Sequence, residues 1–327
     1  MWLAIAVVSY LINAGVYVGD KFLLSKKVHS SVAYAFYVGI WSFLNIFFLF
    51  LAPWVPDWAQ LGVDLLAGGI FLATLIFWYK ALHQSEATRV VPIVGALVPV
   101  FSFALGFVFL REQLTERELL AFLILIIGGI LISVKHTKFY ELHAVASRVR
   151  QVFGNSLGGI HAEYRPNSRL IVNSVVAAFF FAAFYVLIKY VYSTQPFIGG
   201  FVWSRMGSFI GVFFMLLIPS WRKLILEKHI GQSSKPTNLI LFFLIRALAA
   251  FAFILLNLAV SMGNVAITNA LQGIQYIFLF IIVMFLSSKY PKVLKEELGG
   301  EVLFQKVIGA LLIGIGLYML AITNVAF

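Results

Sequence analysis

The sequence predicts an all-α integral membrane protein of ten transmembrane helices, arranged as two inverted five-helix repeats, and three observations carry that reading. Of 327 residues, 62% are hydrophobic and 11% charged, against roughly 45–50% and 25% in soluble domains. Ten apolar runs are each long enough to cross a hydrocarbon core of about 30 Å, which takes roughly 20 helical residues. The third observation is that the runs before and after the one long hydrophilic stretch, 136–169, match each other in order.

The runs fall near 2–24, 31–51, 60–82, 89–110, 118–135, 170–192, 197–219, 238–260, 265–287 and 305–324. An even number of spans puts both termini on one side. Opposite the termini lie Lys26, Lys27, Lys135, Lys138, Arg148, Arg150, Arg165, Arg169, Arg222, Lys223, Lys228, Lys235, Lys289, Lys292 and Lys295. The terminal side holds only Arg111 and Arg117, offset by Glu112 and Glu116. The positive-inside rule then places both termini outside a cell membrane. The same rule accounts for the net charge of +11 without a nucleic-acid partner, since the basic residues sit in short segments between apolar runs. Absence of cysteine excludes disulfides, thiolate catalysis and Cys-ligated metals. The apolar N-terminus lacks a basic n-region and a small-residue cleavage site, so it reads as a retained first span.

Three segments follow: a first repeat over 1–135, a basic cytoplasmic linker over 136–169, and a second repeat over 170–327. In the linker Phe139, Leu142, Val145, Val149 and Val152/Phe153 recur at helical spacing among basic residues, which fits either an amphipathic surface helix or a solvated connector. Gly154-Asn155-Ser156-Leu157-Gly158 matches the G-x-S-x-G nucleophile pattern but has neither the strand–turn–helix context nor the acid and histidine that chemistry needs.

The copies can be followed span by span. Tyr17 precedes Lys21 by one turn in span 1, as Tyr185 precedes Lys189 in span 6; Trp41-Ser42 of span 2 echoes Trp203-Ser204 of span 7. Spans 5 and 10 share a small residue seven positions before a glycine, Ala121 with Gly128 and Gly309 with Gly316, a spacing that lets helices approach closely. An odd number of spans per copy inverts the second copy in the membrane. Secondary transporters built this way place their substrate site at the repeat interface near the bilayer midplane.

The two halves resemble the EamA domains of the drug/metabolite transporter superfamily. Tyr79-Lys80-Ala81-Leu82 closing span 3, Ala96-Leu97-Val98-Pro99 with Leu110-Arg111-Glu112 in and after span 4, and the glycine-bearing fifth spans carry the resemblance. Two departures stand beside it: Leu286-Ser287-Ser288 follows span 9 where an acid is usual, and the arginine early in the second span is present as Arg205 in span 7 but replaced by Phe43 in span 2. The resemblance implies ten spans and export or exchange of a small metabolite around a cavity lined by spans 1, 3, 4, 6, 8 and 9.

The most polar span is the ninth. Thr268, Gln272 and Gln275/Tyr276 recur at i, i+4 and i+7/i+8, and Asn269 joins them, so one face of an apolar helix is wet. Superimposing Ala96–Pro99 on Ala270–Gly273 puts Val94, Val98 and Phe101 opposite Thr268, Gln272 and Gln275, so the polarity is no property of the shared scaffold. These five residues are candidates for substrate contact; the competing account is hydrogen bonding between helices. Arg246 and Asn257, eleven apart on span 8, share a face, and Arg246 either meets an anionic group of the substrate or snorkels to headgroups. Asn13, Tyr17 and Tyr185 are further cavity candidates. Lys21 and Lys189 form a symmetric pair for gating or anchoring the two mouths. Arg205, flanked by Gly207 and Gly211, reads as part of a packing helix.

Asp20, Asp64, His83, Glu86 and Glu112 all fall near span ends, which favours exchange or facilitated diffusion over a mid-membrane proton carboxylate. No phosphate-binding loop of the G-x-x-x-x-G-K-[ST] type occurs, and no cofactor or metal is implied. The expected function is therefore a non-enzymatic secondary transporter (permease, exporter or exchanger) of a small polar or amphipathic metabolite, with the lipid bilayer and a small-molecule substrate as its partners. A lipid or lipid-carrier translocase and a non-transporting scaffold are the alternatives.

Overall fold

A computed structural model describes residues 1–23, 31–84, 87–133, 168–226, 236–289 and 300–325, and every described element is helical. In chain order these are α1 (Trp2–Leu23), α2 (Ser31–Trp41) continuing as a 3₁₀ helix (Ser42–Phe50), α3 (Trp58–Gln84), α4 (Ala87–Leu105) running into a π turn (Gly106–Leu110), and α5 (Glu116–Ser133). The second half holds α6 (Ser168–Thr194), α7 (Phe197–Leu217), α8 (Pro219–Leu226), α9 (Pro236–Met262), α10 (Val265–Ala270), α11 (Gln272–Lys289) and α12 (Gly300–Val325). Nearly all of the expected linker lies outside the described residues, as does the side chain of Lys21.

Among the described residues, eight stretches are long and apolar enough to cross a membrane. The two expected spans outside that set are α1, whose apolar stretch Trp2–Val18 is shorter, and α5, which opens on Glu116, Arg117 and Glu118. Large apolar side chains cover the periphery: Phe50 is 82% and Phe109 71% exposed. Water would not tolerate so continuous an apolar surface, and lipid accepts it. The chain is a multi-pass membrane protein.

Local chemistry sets the helix ends. Asp57 and Gln60 form a reciprocal cap at the start of α3, with the Gln60 N–H donating to Asp57 Oδ1 at 2.8 Å and the Asp57 N–H to Gln60 Oε1 at 3.1 Å. Thr115 and Glu118 repeat it at α5, where the Glu118 N–H reaches Thr115 Oγ1 at 3.3 Å and the Thr115 N–H reaches Glu118 Oε2 at 2.9 Å. Pro196 separates α6 from α7, and Pro219 and Pro236 open α8 and α9, the positions where a missing N–H costs least. The short helix α8 was not expected. Its Trp221 and Ile225 beside Arg222 and Lys223 make it an amphipathic interfacial turn, with the Lys80 ammonium 5.9 Å from the Trp221 ring.

Helices of each half pack chiefly on helices of the other. The main partners of α1 are α9 and α11; those of α6 are α3 and α4, and α5 lies along α12. Two of these seams are lined by glycine. A Cβ on Gly128 would sit 2.9 Å from the Gly309 carbonyl, and one on Gly309 2.9 Å from the Gly128 carbonyl. Gly316 meets Leu125 and the Ala121 carbonyl. The register of 121 on 316 and 128 on 309 runs antiparallel. Between α3 and α7, Gly68 abuts the backbone of Ser204 and Ser208, Gly207 abuts Leu65, and Ser208 Oγ donates to the Gly68 carbonyl at 2.8 Å. Lipid offers no hydrophobic drive between helices, so close backbone approach and such bonds do the holding.

Two spans depart from the uniform helices expected. Span 2 becomes 3₁₀ after Trp41, where Ser42 Oγ donates to the Val38 carbonyl and Asn45 Nδ2 to the Ser42 carbonyl, side-chain bonds that compete with the α ladder. Span 9 breaks at Leu271 into α10 and α11. Next to the break, a Cβ on Gly273 would lie 3.3 Å from Gly129 Cα and 3.0 Å from Ile313 Cδ1, so the tight approach to α5 and α12 favours a residue without a Cβ, and glycine is a poor helix former.

Gly207→Ala is expected to lower the melting temperature in detergent, because its Cβ would lie 2.6 Å from Leu65 Cα and overpacking of this kind costs about 1–3 kcal/mol. Gly69→Ala, whose Cβ meets nothing within 4 Å, should hold or raise it by up to about 1 kcal/mol. Equal responses in a thermal-unfolding series would refute the seam.

Candidate functional site

Three groups of polar residues lie between the halves. The first closes one end of the bundle, where α9 meets α10. Lys189 Nζ donates to the carbonyls of Ser261 at 3.0 Å and Gly263 at 2.8 Å, and the Val265 N–H donates to Glu112 Oε2 at 3.2 Å. Glu112 reaches this point through an unusual turn. Arg111 adopts φ 54°, and the Glu112 N–H donates back to the Gly106 carbonyl at 3.2 Å, a left-handed helix cap more often given to glycine. Trp2 packs on Gly263 at the same end. Burial pushes the Glu112 carboxyl above the usual value of 4.5, while the Val265 N–H and the Lys189 charge pull it back.

The second group fills the middle with tyrosines. Tyr10 Oη donates to the Thr268 carbonyl at 2.9 Å and Tyr192 Oη to Asn257 Oδ1 at 3.0 Å. Tyr17 lies near Gln275. Tyr276 lies near Tyr17 and Tyr10, Tyr185 near Tyr10 and Tyr17, and Tyr192 near Tyr185. These phenols come from α1, α6 and α11. Gln275 Nε2 and Tyr276 Oη are buried without a hydrogen-bond partner in the protein. Tyr17 keeps 39% of its surface accessible. Gly95 on α4 makes room opposite: a Cβ there would lie 2.5 Å from Tyr276 Oη and 3.8 Å from Gln272 Oε1.

The third group adjoins it. Arg205 on α7, 4% exposed, holds its guanidinium 4.0 Å from the ring centre of Phe71, 4.8 Å from Phe253, 5.3 Å from Phe184 and 5.8 Å from Phe201. The four rings belong to α3, α9, α6 and α7 and pack on one another, Phe71 lying 4.9 Å from Phe184 and 5.4 Å from Phe253. Asp64, fully buried on α3, accepts from Gln195 Nε2 at 3.0 Å. Its Oδ2 and Gln195 Oε1 have no donor.

The expected residues divide accordingly. Tyr17, Gln275, Tyr276 and Tyr185 lie near one another, and Gln272 and Tyr276 both approach Gly95. Thr268 turns its hydroxyl onto the Asn264 carbonyl at 2.7 Å, and Asn269 Nδ2 donates to Ser102 Oγ on α4 at 2.8 Å; both are bonds between or within helices. Asn257 serves Tyr192 and the Phe253 carbonyl. Asn13 is half-buried on α1, Arg246 half-buried near the start of α9, and Lys189 sits at the closed end. Sequence reasoning passed over Tyr10, Tyr192, Asp64 with Gln195, and the surroundings of Arg205. Tyr10, three residues before Asn13, and the phenylalanines of spans 3, 6, 7 and 8 are visible in the sequence, but only the fold brings them together. Among the described residues no cluster of His, Asp and Glu suits a metal ion.

Residues 1–134 match the family model described as "EamA-like transporter family". No curated protein matches the chain. Among solved chains that match, one crystal structure superimposes with a TM-score of 0.63 at 12% identity, covering 98% of this chain and 96% of its own, a likeness of fold alone.

Asp64→Asn converts one carboxylate oxygen into a donor that can close a second bond with Gln195, so the variant should unfold at higher temperature by about 1 kcal/mol or more; a drop in melting temperature would contradict this pairing. For Glu112 the raised carboxyl value means that its contribution to stability is present below 4.5 and lost as pH rises through the shifted value. Glu112→Gln keeps an acceptor for Val265 without titrating. The wild type should therefore lose stability relative to this variant as pH climbs above 4.5, which melting curves across pH 4–8 (a range of about four units around the carboxylate transition) would show; a relative gain would refute the assignment.

Proposed function

We propose, from the match of residues 1–134 to the EamA-like transporter family, that the protein is a secondary transporter of the drug/metabolite transporter superfamily for small polar or amphipathic metabolites, working by alternating access. In this reading ten spans form two inverted five-helix repeats, 1–135 and 170–327, with both termini outside a cell membrane. The reciprocal register of Ala121–Gly128 on Gly309–Gly316 supports the inversion, as does the matched pairing of α1 with α9 and α6 with α3.

One observation carries the function. Gln275 Nε2 and Tyr276 Oη face the accessible Tyr17 at the junction of the halves, at a depth where unpaired polar groups are costly. A solute with hydrogen-bonding groups would satisfy them. Lys189 and Glu112, bonded across the α9–α10 junction, would hold the outer mouth shut, so that the opposite mouth is the open one.

Counterflow in proteoliposomes, with a labelled amino acid or sugar that the wild type carries, tests this. Gln275→Ala should raise the half-saturation concentration about tenfold, the worth of one hydrogen bond, with little change in melting temperature. Asn269→Ala should do the reverse, lowering stability through loss of the Ser102 bond and leaving half-saturation alone. Identical behaviour of the two variants, or headgroup scrambling in place of solute counterflow, would count against the proposal.

A further inference from the structure

The surroundings of Arg205 are not those of an arginine that merely joins helices. A buried guanidinium in a helical bundle ordinarily gives its N–H groups to carbonyls or carboxylates, since an unmet donor in a low-dielectric interior is costly. Here Nε and Nη2 have no hydrogen-bond partner. The buried carboxylate on the neighbouring helix does not serve, because Asp64 bonds to Gln195. The titratable groups near Arg205 are the neutral phenols of Tyr185 and Tyr192. Four phenylalanine faces stabilise the cation through their quadrupoles, yet they leave the planar fork of donors unused. The cage therefore preserves a charged, preorganised donor pair.

We infer that Arg205 is the receptor for an oxyanion, and that the ligand class of the cavity is a small organic anion: a carboxylate or phosphate group carried on an aromatic or aliphatic body. A guanidinium matches such a group with two parallel bonds. Phe71, Phe184 and Phe253 supply apolar walls for the body. Tyr185 is close to both Arg205 and Tyr17, so the site adjoins the tyrosine group. The inference takes its route of entry from the transporter reading, but binding itself does not depend on transport.

The test uses the full chain, purified in neutral detergent, and matched pairs of acid and amide: phenylacetate with phenylacetamide, hexanoate with hexanamide. Inorganic phosphate alone and nanodiscs of phosphatidylglycerol or phosphatidylcholine complete the set. Titration calorimetry and melting temperature are read for the wild type, Arg205→Gln and Arg205→Lys. The acids should bind and stabilise the wild type while their amides do not; Arg205→Gln should weaken acid binding about tenfold or more, and Arg205→Lys, which keeps the charge and loses the fork, should fall between. If Arg205→Gln does not fold, the acid–amide contrast and Arg205→Lys decide. Equal binding of acid and amide, undiminished binding by Arg205→Gln, or stabilisation by phosphatidylglycerol alone would overturn the assignment. Counterflow separates the two readings. Neutral-solute counterflow without acid discrimination sinks the Arg205 site and leaves transport standing, whereas acid binding supports the site even where no solute shows counterflow.

Discussion

The Arg205 guanidinium and its four phenylalanines tie together helices that lipid would not hold together. Placing an arginine at the centre of a membrane helix costs about 2.5–3.5 kcal/mol even on insertion scales, and a desolvated cation–π contact returns up to about 2 kcal/mol. Two rings lie within 5 Å of the charge, on α3 and α9. Because the rings come from α3, α6, α7 and α9, the charge is tolerable only when all four helices are assembled. It thereby makes one arrangement of the two halves preferable to alternatives in which the cation would face hydrocarbon. Its unused donors give the same residue a second role.

Around this centre the helices are held by contact rather than by exclusion of water. Gly128, Gly309, Gly316, Gly68 and Gly207 bring backbones together, and Ser102, Ser208 and Tyr10 bond across the seams. The seams also decide where span 9 can break. With Gly273 pressed on Gly129, the chain on either side of Leu271 is fixed to different neighbours, α10 to α4 and α11 to α1 and α5. Polar side chains on the two pieces accordingly have different fates. Thr268 and Asn269, before the break, are spent on helix bonds, and Gln275 and Tyr276, after it, retain unpaired groups.

A helical wheel drawn through Thr268, Gln272, Gln275 and Tyr276 assumes an unbroken helix, and on that assumption all four share a face. The register of polar residues was legible; the break was not, because its cause lies in α5 and α12, far away in the chain. Arg205 shows the reverse. Its GxxxG neighbours Gly207 and Gly211 pointed to packing, and both glycines do face α3, against Leu65 and Leu72. The guanidinium itself points elsewhere, into rings separated from it by up to 134 positions, from Phe71 to Arg205. Asp64 sits seven residues into α3, where counting along a span assigns it to an end, and yet it is fully enclosed because the α6–α7 turn with Gln195 folds over it.

Composition and apolar run length by themselves determined that this chain lives in a bilayer as a set of helices, since continuous apolar runs of about 20 residues suit spanning helices, which satisfy their own backbone groups there, and the spacing of Ala121, Gly128, Gly309 and Gly316 already named one seam. Those properties are local, or repeat along the chain, and so can be read from it. Which polar groups are satisfied and which are left over was decided only by tertiary structure. A hydrogen-bond donor has no fate until its neighbours are known, and for Gln275, Tyr276 and Arg205 those neighbours come from both halves of the chain.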